Sequence, residues 1–132
     1  MAGNNGANQY KQTAVKTASR GQILIMLYEA AVQHLRKAVI CLDKGDIAGK
    51  GTHIGKVHDI VNELTNTLDH QVGGEIAVNL ERLYTFCTEQ LVSANMERSA
   101  DEAKKKLQSI QKILETLLEG WKTAVQQAGK SI

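Results

Sequence analysis

The sequence predicts an all-α protein, an antiparallel four-helix bundle with a flexible N-terminal arm. The chain has 132 residues, which is the size of one domain, and 42% of them are hydrophobic. It contains no proline, where average usage would give roughly six or seven. Because proline breaks a helix interior, its absence favours long uninterrupted helices. Four stretches also carry apolar residues at steps of three and four, the spacing of one helix face.

The first 18 residues lack a helical apolar pattern and are rich in Gly, Asn, Gln and Thr. This composition predicts a mobile arm over 1–18, interrupted by a single aromatic residue, Tyr10. The bundle is expected over 19–128 and a short tail over 129–132.

The first helix is predicted to begin at Ser19, which has capping-box spacing to Gln22, and to end at Gly45. Asp46 can cap the second helix, although glycines early in that helix each cost about 1 kcal/mol against alanine and predict either a frayed end or a late start. The expected core stripes are Leu24, Leu27, Ala31, Leu35, Ala38 and Leu42, then Ile54, Val57, Val61, Leu64 and Leu68.

Gly73 and Gly74 predict the next turn, and the third helix is expected to end near Asn95. Ser99 and Glu102 repeat the capping-box spacing before the fourth helix. The expected core stripes are Ile76, Leu80, Leu83, Tyr84, Cys87, Leu91 and Ala94, then Ala103, Leu107, Ile110, Leu114, Leu117, Leu118, Trp121 and Val125.

Large apolar residues also fall outside these stripes on the first three helices, whereas the fourth helix has almost none. They are Ile25, Met26, Ile40, Ile60, Val78, Phe86 and Val92. Single exposed apolar residues are normal on any protein. The asymmetry also fits a groove that accepts apolar helical segments of a partner, and these residues are its expected lining.

Composition and motifs argue against several classes of function. A net charge of +2 and five aromatic residues do not favour nucleic acid as a partner. No apolar run approaches the length of about 20 residues needed for membrane insertion. With no export signal and two cysteines, a cytoplasmic location is expected. Glu-x-x-His pairs, phosphate-binding loops and Gly-x-Ser-x-Gly elbows are missing, so we expect no metal site, no cofactor and no enzyme activity.

One alternative comes from a partial similarity to histidine phosphotransfer domains, which are also four-helix bundles. His34, Arg36 and Lys37 stand in an approximate His-x-Leu-Lys-Gly motif, and Lys37 could neutralise a phosphoryl group. However, Ala38 replaces the glycine that leaves room beside the phosphohistidine. A second alternative is a generic helical adaptor with another client.

The residues in order resemble the flagellar secretion chaperone FliS family over nearly the whole chain. The resemblance depends on the joint order of short pieces: Tyr10, Thr17-Ala18-Ser19, Leu24-Ile25-Met26-Leu27-Tyr28-Glu29-Ala30-Ala31, Gly45-Asp46, Ile60, Glu63-Leu64, Leu68-Asp69, Gly73-Gly74-Glu75-Ile76-Ala77, Asn79-Leu80, Leu83-Tyr84, Leu91, Ala94-Asn95 and Trp121. Arg20 departs from the proline that is common in the family after the serine. Gly49, Gly51 and Gly55 depart from its more helix-forming second helix.

The resemblance implies a non-enzymatic chaperone for bacterial flagellum biogenesis and protein export. Members hold the C-terminal segment of flagellin in the cytoplasm, prevent its premature polymerisation and aid its delivery to the flagellar export gate. It also implies a role for Tyr10 as a gate that shields an apolar pocket until flagellin displaces it.

Overall fold

The computed structural model describes the backbone of residues 5–130 and the side chains of residues 20–128, and over that range every regular element is an α-helix. The helices are α1 (Asn5–Lys44), α2 (Ile47–Asn66), α3 (His70–Gly73), α4 (Glu75–Met96) and α5 (Ala100–Lys130). The all-α class predicted from the sequence is therefore confirmed.

The four long helices form a bundle in which each has two neighbours. Both α1 and α4 pack beside α2 and α5, whereas α1 and α4 face each other only across the diagonal. Neighbours run antiparallel: on α1 and α5, Glu29 lies near Lys122 and Arg36 near Glu115. The four-helix bundle is confirmed, with α3 as an extra turn between α2 and α4.

The prediction that the first helix begins at Ser19 is wrong, because α1 begins at Asn5 and passes through Ser19 without a break. The segment before Ser19 contains several alanines, lysines and glutamines, which favour helix without any apolar stripe. The mobility of residues 1–18 stays a prediction, as does the tail over 129–132. The side chain of Tyr10 lies outside the described residues.

The connection between α1 and α2 follows the predicted chemistry. Gly45 has a φ of +73°, the left-handed conformation that ends many helices at glycine. Oδ1 of Asp46 accepts a 2.9 Å hydrogen bond from the backbone nitrogen of Gly49 and caps α2. Of the two alternatives for this end, the late start is wrong, because α2 begins at Ile47, directly after this cap; fraying stays a prediction.

The α2–α4 connection holds the element that the sequence did not predict. Oδ1 of Asp69 accepts hydrogen bonds from the backbone nitrogens of Gln71 and Val72, and so begins the four-residue helix α3. Gly74 then turns the chain into α4 with a φ of +51°. The predicted turn at Gly73 and Gly74 is thus preceded by one helical turn.

Ser99 caps α5 as expected, since its Oγ accepts a 3.3 Å hydrogen bond from the backbone nitrogen of Glu102. The reciprocal bond of a capping box is made by a different residue. Glu97, not Glu102, accepts from the backbone nitrogen of Ser99, while the Glu102 carboxylate pairs with Lys105.

The core is formed by the inward stripes of the four long helices. Its largest fully buried side chains are Tyr28, Tyr84, Leu35, Leu64, Leu91, Leu107, Ile110 and Leu114. Each such side chain contributes about 1.5–3 kcal/mol through removal of apolar area from water. Two residues expected in the core are exposed instead: Ile76 and Leu83.

Candidate binding surface

The structure places the three predicted binding residues of α1 in two different environments. Met26 is 65% exposed and Ile40 is also exposed; they are 14 residues apart, four helical turns, and share the outer face of α1. Ile25 is only 9% exposed and belongs to the core. It follows Gly21 by one turn, and a methyl group placed on Gly21 would lie 3.0 Å from Cγ2 of Val125 on α5.

The expectation that Ile25 is free to contact a partner is therefore wrong. Its side of α1 is the side that α5 covers, whereas Met26 is rotated by about 100° from it, out of that contact. One residue of sequence separation is enough to move a side chain from the core to the surface. We call Met26 and Ile40 the outer α1 face.

Ile60 on α2 is intermediate between these cases. It is half-buried and packs against the core. It lies two turns after His53, and His53 is hydrogen-bonded to His34 on α1, so Ile60 faces the α1–α2 seam. Its side chain is only partly available to a partner.

The predicted binding residues of α4, Val78, Phe86 and Val92, are exposed, but they do not share one side. Phe86 lies two turns before Ser93, which accepts a 2.8 Å hydrogen bond from Nζ of Lys106 on α5. Phe86 therefore lies on the α5 side of α4. Val78 and Val92, four turns apart, lie on the outer side together with Met96, which is 76% exposed. We call Val78, Val92 and Met96 the outer α4 face.

The predicted residues therefore do not line one groove. The helices α1 and α4 lie across the diagonal of the bundle, so their outer faces point in opposite directions. A partner reaches the outer α1 face and the outer α4 face only by passing around the bundle. The structure places Met26 and Ile40 on one face of α1, and Val78 and Val92 on one face of α4, but keeps the two faces apart.

A third apolar surface was not anticipated from the sequence. It is a cavity of about 250 Å³ at the corner where α2, α3 and α4 meet, which we call the corner cavity. Its apolar lining is Leu24, Leu68, Val72, Ile76, Leu80 and Trp121. Val72 is 87% exposed and Ile76 is 68% exposed, so this end of the bundle carries apolar side chains with little covering.

Two physical reasons explain why these residues were missed. Val72 lies on α3, which is too short to show an apolar period. Ile76 has the correct spacing for the core but lies in the first turn of α4, where no neighbouring helix covers it. Further exposed apolar residues that the pattern did not single out are Ile23, Ile47 and Met96.

Behind the corner cavity, the core contains a polar cluster. The hydroxyl groups of Tyr28 and Tyr84 are hydrogen-bonded to each other. Burial raises the pKa of both phenols above the ordinary value, and the pKa of Tyr84 rises far more. Nε1 of Trp121 is buried beside them, and its interaction with the Tyr28 hydroxyl opposes the rise in the pKa of that phenol.

The histidine of the phosphotransfer alternative is not free. Nδ1 of His34 lies 3.0 Å from Nδ1 of His53 on α2, and the rings stack with centroids 5.2 Å apart. Burial lowers the pKa of His34, and the positive fields of His53, Lys37 and Lys56 lower it further. A half-buried imidazole that is already bonded across a helix seam does not favour a phosphate-accepting surface histidine.

The fold and these surfaces define a class of protein: a four-helix bundle with large apolar side chains exposed on two outer faces and at one corner. Within residues 20–128, no group of three or more metal-ligating side chains could hold a metal ion. Among the helices that the structure describes, none is long and apolar enough to cross a bilayer.

The chain belongs to the Flagellar protein FliS family, whose model matches residues 3–128. This confirms the resemblance drawn from the sequence. Similar proteins named Flagellar secretion chaperone FliS occur in several bacteria. The Salmonella typhimurium protein is 34% identical over 84% of this chain and 80% of its own length. The Campylobacter jejuni protein is 30% identical over 92% of each chain. The Bacillus subtilis protein is 26% identical over 98% of this chain and 93% of its own length.

Proposed function

We propose that the chain is a flagellar export chaperone that binds the C-terminal segment of flagellin in the cytoplasm, prevents premature polymerisation and aids delivery to the export gate. Membership of the family and the names of the relatives support the proposal. The structural observation that carries it is the exposure of large apolar side chains on α1 and α4. Such surfaces, outside a core, favour contact with apolar segments of a partner.

The geometry determines how such a segment would bind. A straight helix contacts one face of the bundle, whereas the outer α1 and outer α4 faces point away from each other. We therefore propose that the flagellin segment runs around the bundle and that the corner cavity takes one of its apolar side chains. Such a segment would be ordered on binding, and the ordering cost is offset by a large buried surface.

The proposed role is binding without catalysis or cofactor. Under this proposal Tyr10 closes an apolar pocket in the absence of flagellin and leaves it when flagellin binds. Removal of residues 1–15 tests this role through flagellin affinity and binding of the dye ANS. Unchanged affinity and unchanged dye binding would show that Tyr10 is not a gate.

The test of the main proposal is titration with a peptide of about forty residues from the C-terminus of flagellin, long enough for helix-in-groove contacts. Calorimetry should show binding at micromolar concentration, and circular dichroism should show a gain of helix. The variants Met26→Glu and Val92→Glu place a charge in the outer α1 face and in the outer α4 face, on two sides of the bundle. Each should weaken binding about tenfold, and their effects should add because the sites are far apart.

The matched control is Gln108→Glu, an exposed isosteric change on α5 that adds the same charge outside the proposed surfaces. It should leave the affinity unchanged. No heat and no helix gain with the wild-type chain would contradict the flagellin proposal. Tight binding of the chain to another protein with indifference to flagellin would instead identify the generic adaptor.

A further inference from the structure

A second pocket lies at the end of the bundle where the α1–α2 and α4–α5 connections meet, and we call it the end pocket. Its volume is about 490 Å³, within the usual range of ligand sites. Residues from four segments line it, among them Cys41, Leu42, Ile47, Lys50, Asn95 and Arg98. None of the binding residues predicted on α2, on α4 or in the described part of α1 from residue 20 onward lines this pocket.

The unusual residue of the end pocket is Lys50, which is only 6% exposed and is the one charged side chain among the buried residues of the described range. Its Nζ donates a 3.2 Å hydrogen bond to the backbone oxygen of Asn95. An ammonium group has three donors, and the described residues provide no second partner for this one. Burial of a charge without an opposite charge is costly.

The acidic residues of the end pocket are engaged elsewhere. Asp46 accepts from the backbone nitrogen of Gly49, and Glu97 accepts from Ser99 and pairs with Lys106 at 3.0 Å. Within the described residues, neither forms an ion pair with Lys50. The guanidinium of Arg98, at the rim, likewise has no ion pair there. The pocket therefore holds two cationic groups that form no ion pair within the described residues, beside the carboxylates of Asp46 and Glu97.

The local backbone also favours an anion beside Lys50. Lys50 lies in the first turn of α2, where the helix dipole already favours a negative group. The carbonyl of Asn95, near the C-terminal end of α4, offsets only part of the positive charge of Lys50. Leu42, Ile47 and Cys41 line the same pocket as Lys50, so the pocket combines a cationic group with an apolar wall.

We propose that the end pocket binds the C-terminal carboxylate of a peptide whose last residue is apolar. Lys50 bonds the carboxylate, Arg98 adds a second positive group at the rim, and the last side chain packs against Leu42 and Ile47. A chain-terminal apolar residue fits because it carries its carboxylate and its apolar side chain a few ångströms apart. The proposal does not depend on the identity of the flagellar cargo.

The test uses isotope-labelled full-length protein and three short peptides, followed by amide chemical shifts in NMR. The three peptides are acetyl-leucyl-leucine with a free carboxylate, the same peptide with a C-terminal amide, and an amidated acetyl-Leu-Glu-Leu. The free acid should shift amides around Lys50 and Arg98. The other two peptides should bind about tenfold more weakly, since a hydrogen bond to a charged group contributes that much affinity.

Lys50→Met keeps the apolar stem and removes the charge, and it should reduce free-acid binding about tenfold. Lys56→Met, an exposed lysine of the same helix, is the control and should bind like the wild type. Arg98→Gln lies at the exposed rim, leaves the core intact and should weaken binding severalfold. Because it does not disturb the fold, it keeps the test valid if Lys50→Met is unstable.

Equal binding of the free acid and the amide would overturn the proposal, as would no shifts around Lys50 with the free acid at millimolar concentration. Tighter binding of the internal glutamate peptide would also overturn it, because it would identify an acidic side chain as the ligand. Each of these results leaves the flagellin proposal intact, since that proposal depends on other surfaces.

Discussion

The hydroxyl groups of Tyr28 on α1 and Tyr84 on α4 form a hydrogen bond across the diagonal of the bundle. Their rings are 6.5 Å apart between centroids and tilted by 52°. Because α1 and α4 are not packing neighbours, this pair is a direct polar link between opposite helices. Both phenols are buried and remain neutral, since burial raises the pKa of each.

Replacement of one member of this pair should destabilise the protein more than its volume suggests. Tyr28→Phe leaves the buried Tyr84 hydroxyl without its partner, which should lower the free energy of unfolding by about 1–3 kcal/mol. The double variant Tyr28→Phe/Tyr84→Phe removes both polar groups and should lose less than the sum of the single changes. Urea unfolding of the four proteins measures this coupling. Additive single effects would show that the hydrogen bond contributes no net coupling.

The stacked histidines predict a loss of stability in mild acid. The hydrogen bond between Nδ1 of His34 and Nδ1 of His53 needs one donor and one acceptor, so it exists only while at most one ring is protonated. Burial, then His53, Lys37 and Lys56, lower the pKa of His34 in the folded protein. The unfolded chain therefore binds more protons as pH falls, and the free energy of unfolding decreases with it.

This contribution should be fully present above about pH 6.5, the ordinary histidine value, and should be lost as pH falls towards the lower pKa of the folded state. Urea unfolding between pH 8 and about pH 5.5 measures how steeply the free energy of unfolding changes with pH. Most carboxylates titrate below this range. His34→Gln should flatten this slope. His58→Gln is the control, because His58 is bonded to Asn62 on its own helix and should keep the slope. An unchanged slope in His34→Gln would contradict the prediction.

Two glycines of α2 should respond in opposite directions to the same substitution. At Gly55 an added methyl group meets no atom within 4 Å, so Gly55→Ala should raise the free energy of unfolding by about 0.4–1 kcal/mol through helix propensity. At Gly49 it would overlap Oδ2 of Asp46 and lie 2.7 Å from Sγ of Cys41.

Gly49→Ala should therefore lower stability by about 1–3 kcal/mol, the usual cost of overpacking. Thermal unfolding of both variants and the wild type, measured side by side, shows whether each substitution raises or lowers the stability. A stabilised Gly49→Ala protein would show that the cap at Asp46 and the Cys41 side chain move apart at little cost.

The two thiols should differ in reactivity. Cys87 is buried and burial raises its pKa to about 11, so it stays a protonated, inaccessible thiol at neutral pH. Cys41 is half-buried at the edge of the end pocket. A thiol reagent in excess should modify Cys41 in the native protein and Cys87 only on unfolding. Equal native rates at Cys87 and Cys41 would contradict the described burial.

The regular part of the fold could be predicted because its signals are local. Asp46 and Ser99 cap the helices that they were expected to cap, and Gly45 adopts the expected left-handed backbone. The start of α1 could not be predicted by the same means. Intrinsic propensity continues the helix through Ser19 without an apolar stripe.

The candidate surfaces were harder to predict, because exposure depends on which side of a helix its neighbours cover. Ile25 and Met26 are adjacent in sequence, and only the position of α5 makes one buried and the other exposed. The environment of Lys50 also depends on a neighbouring helix. A helical wheel places Lys50 on the apolar side of α2 but does not indicate its hydrogen bond to the backbone of α4. Packing around the ends of helices likewise left Ile76 exposed.

The opposite directions of the outer α1 and outer α4 faces have a consequence for unloading. Under the proposed function, a flagellin segment that covers both faces is attached at two separate places, so it need not leave in one step. Detachment from one face leaves the other as a tether, and the high local concentration favours rebinding. An export machine that pulls on the free limb would therefore overcome the two attachments one after the other, with a smaller barrier at each step than simultaneous release requires.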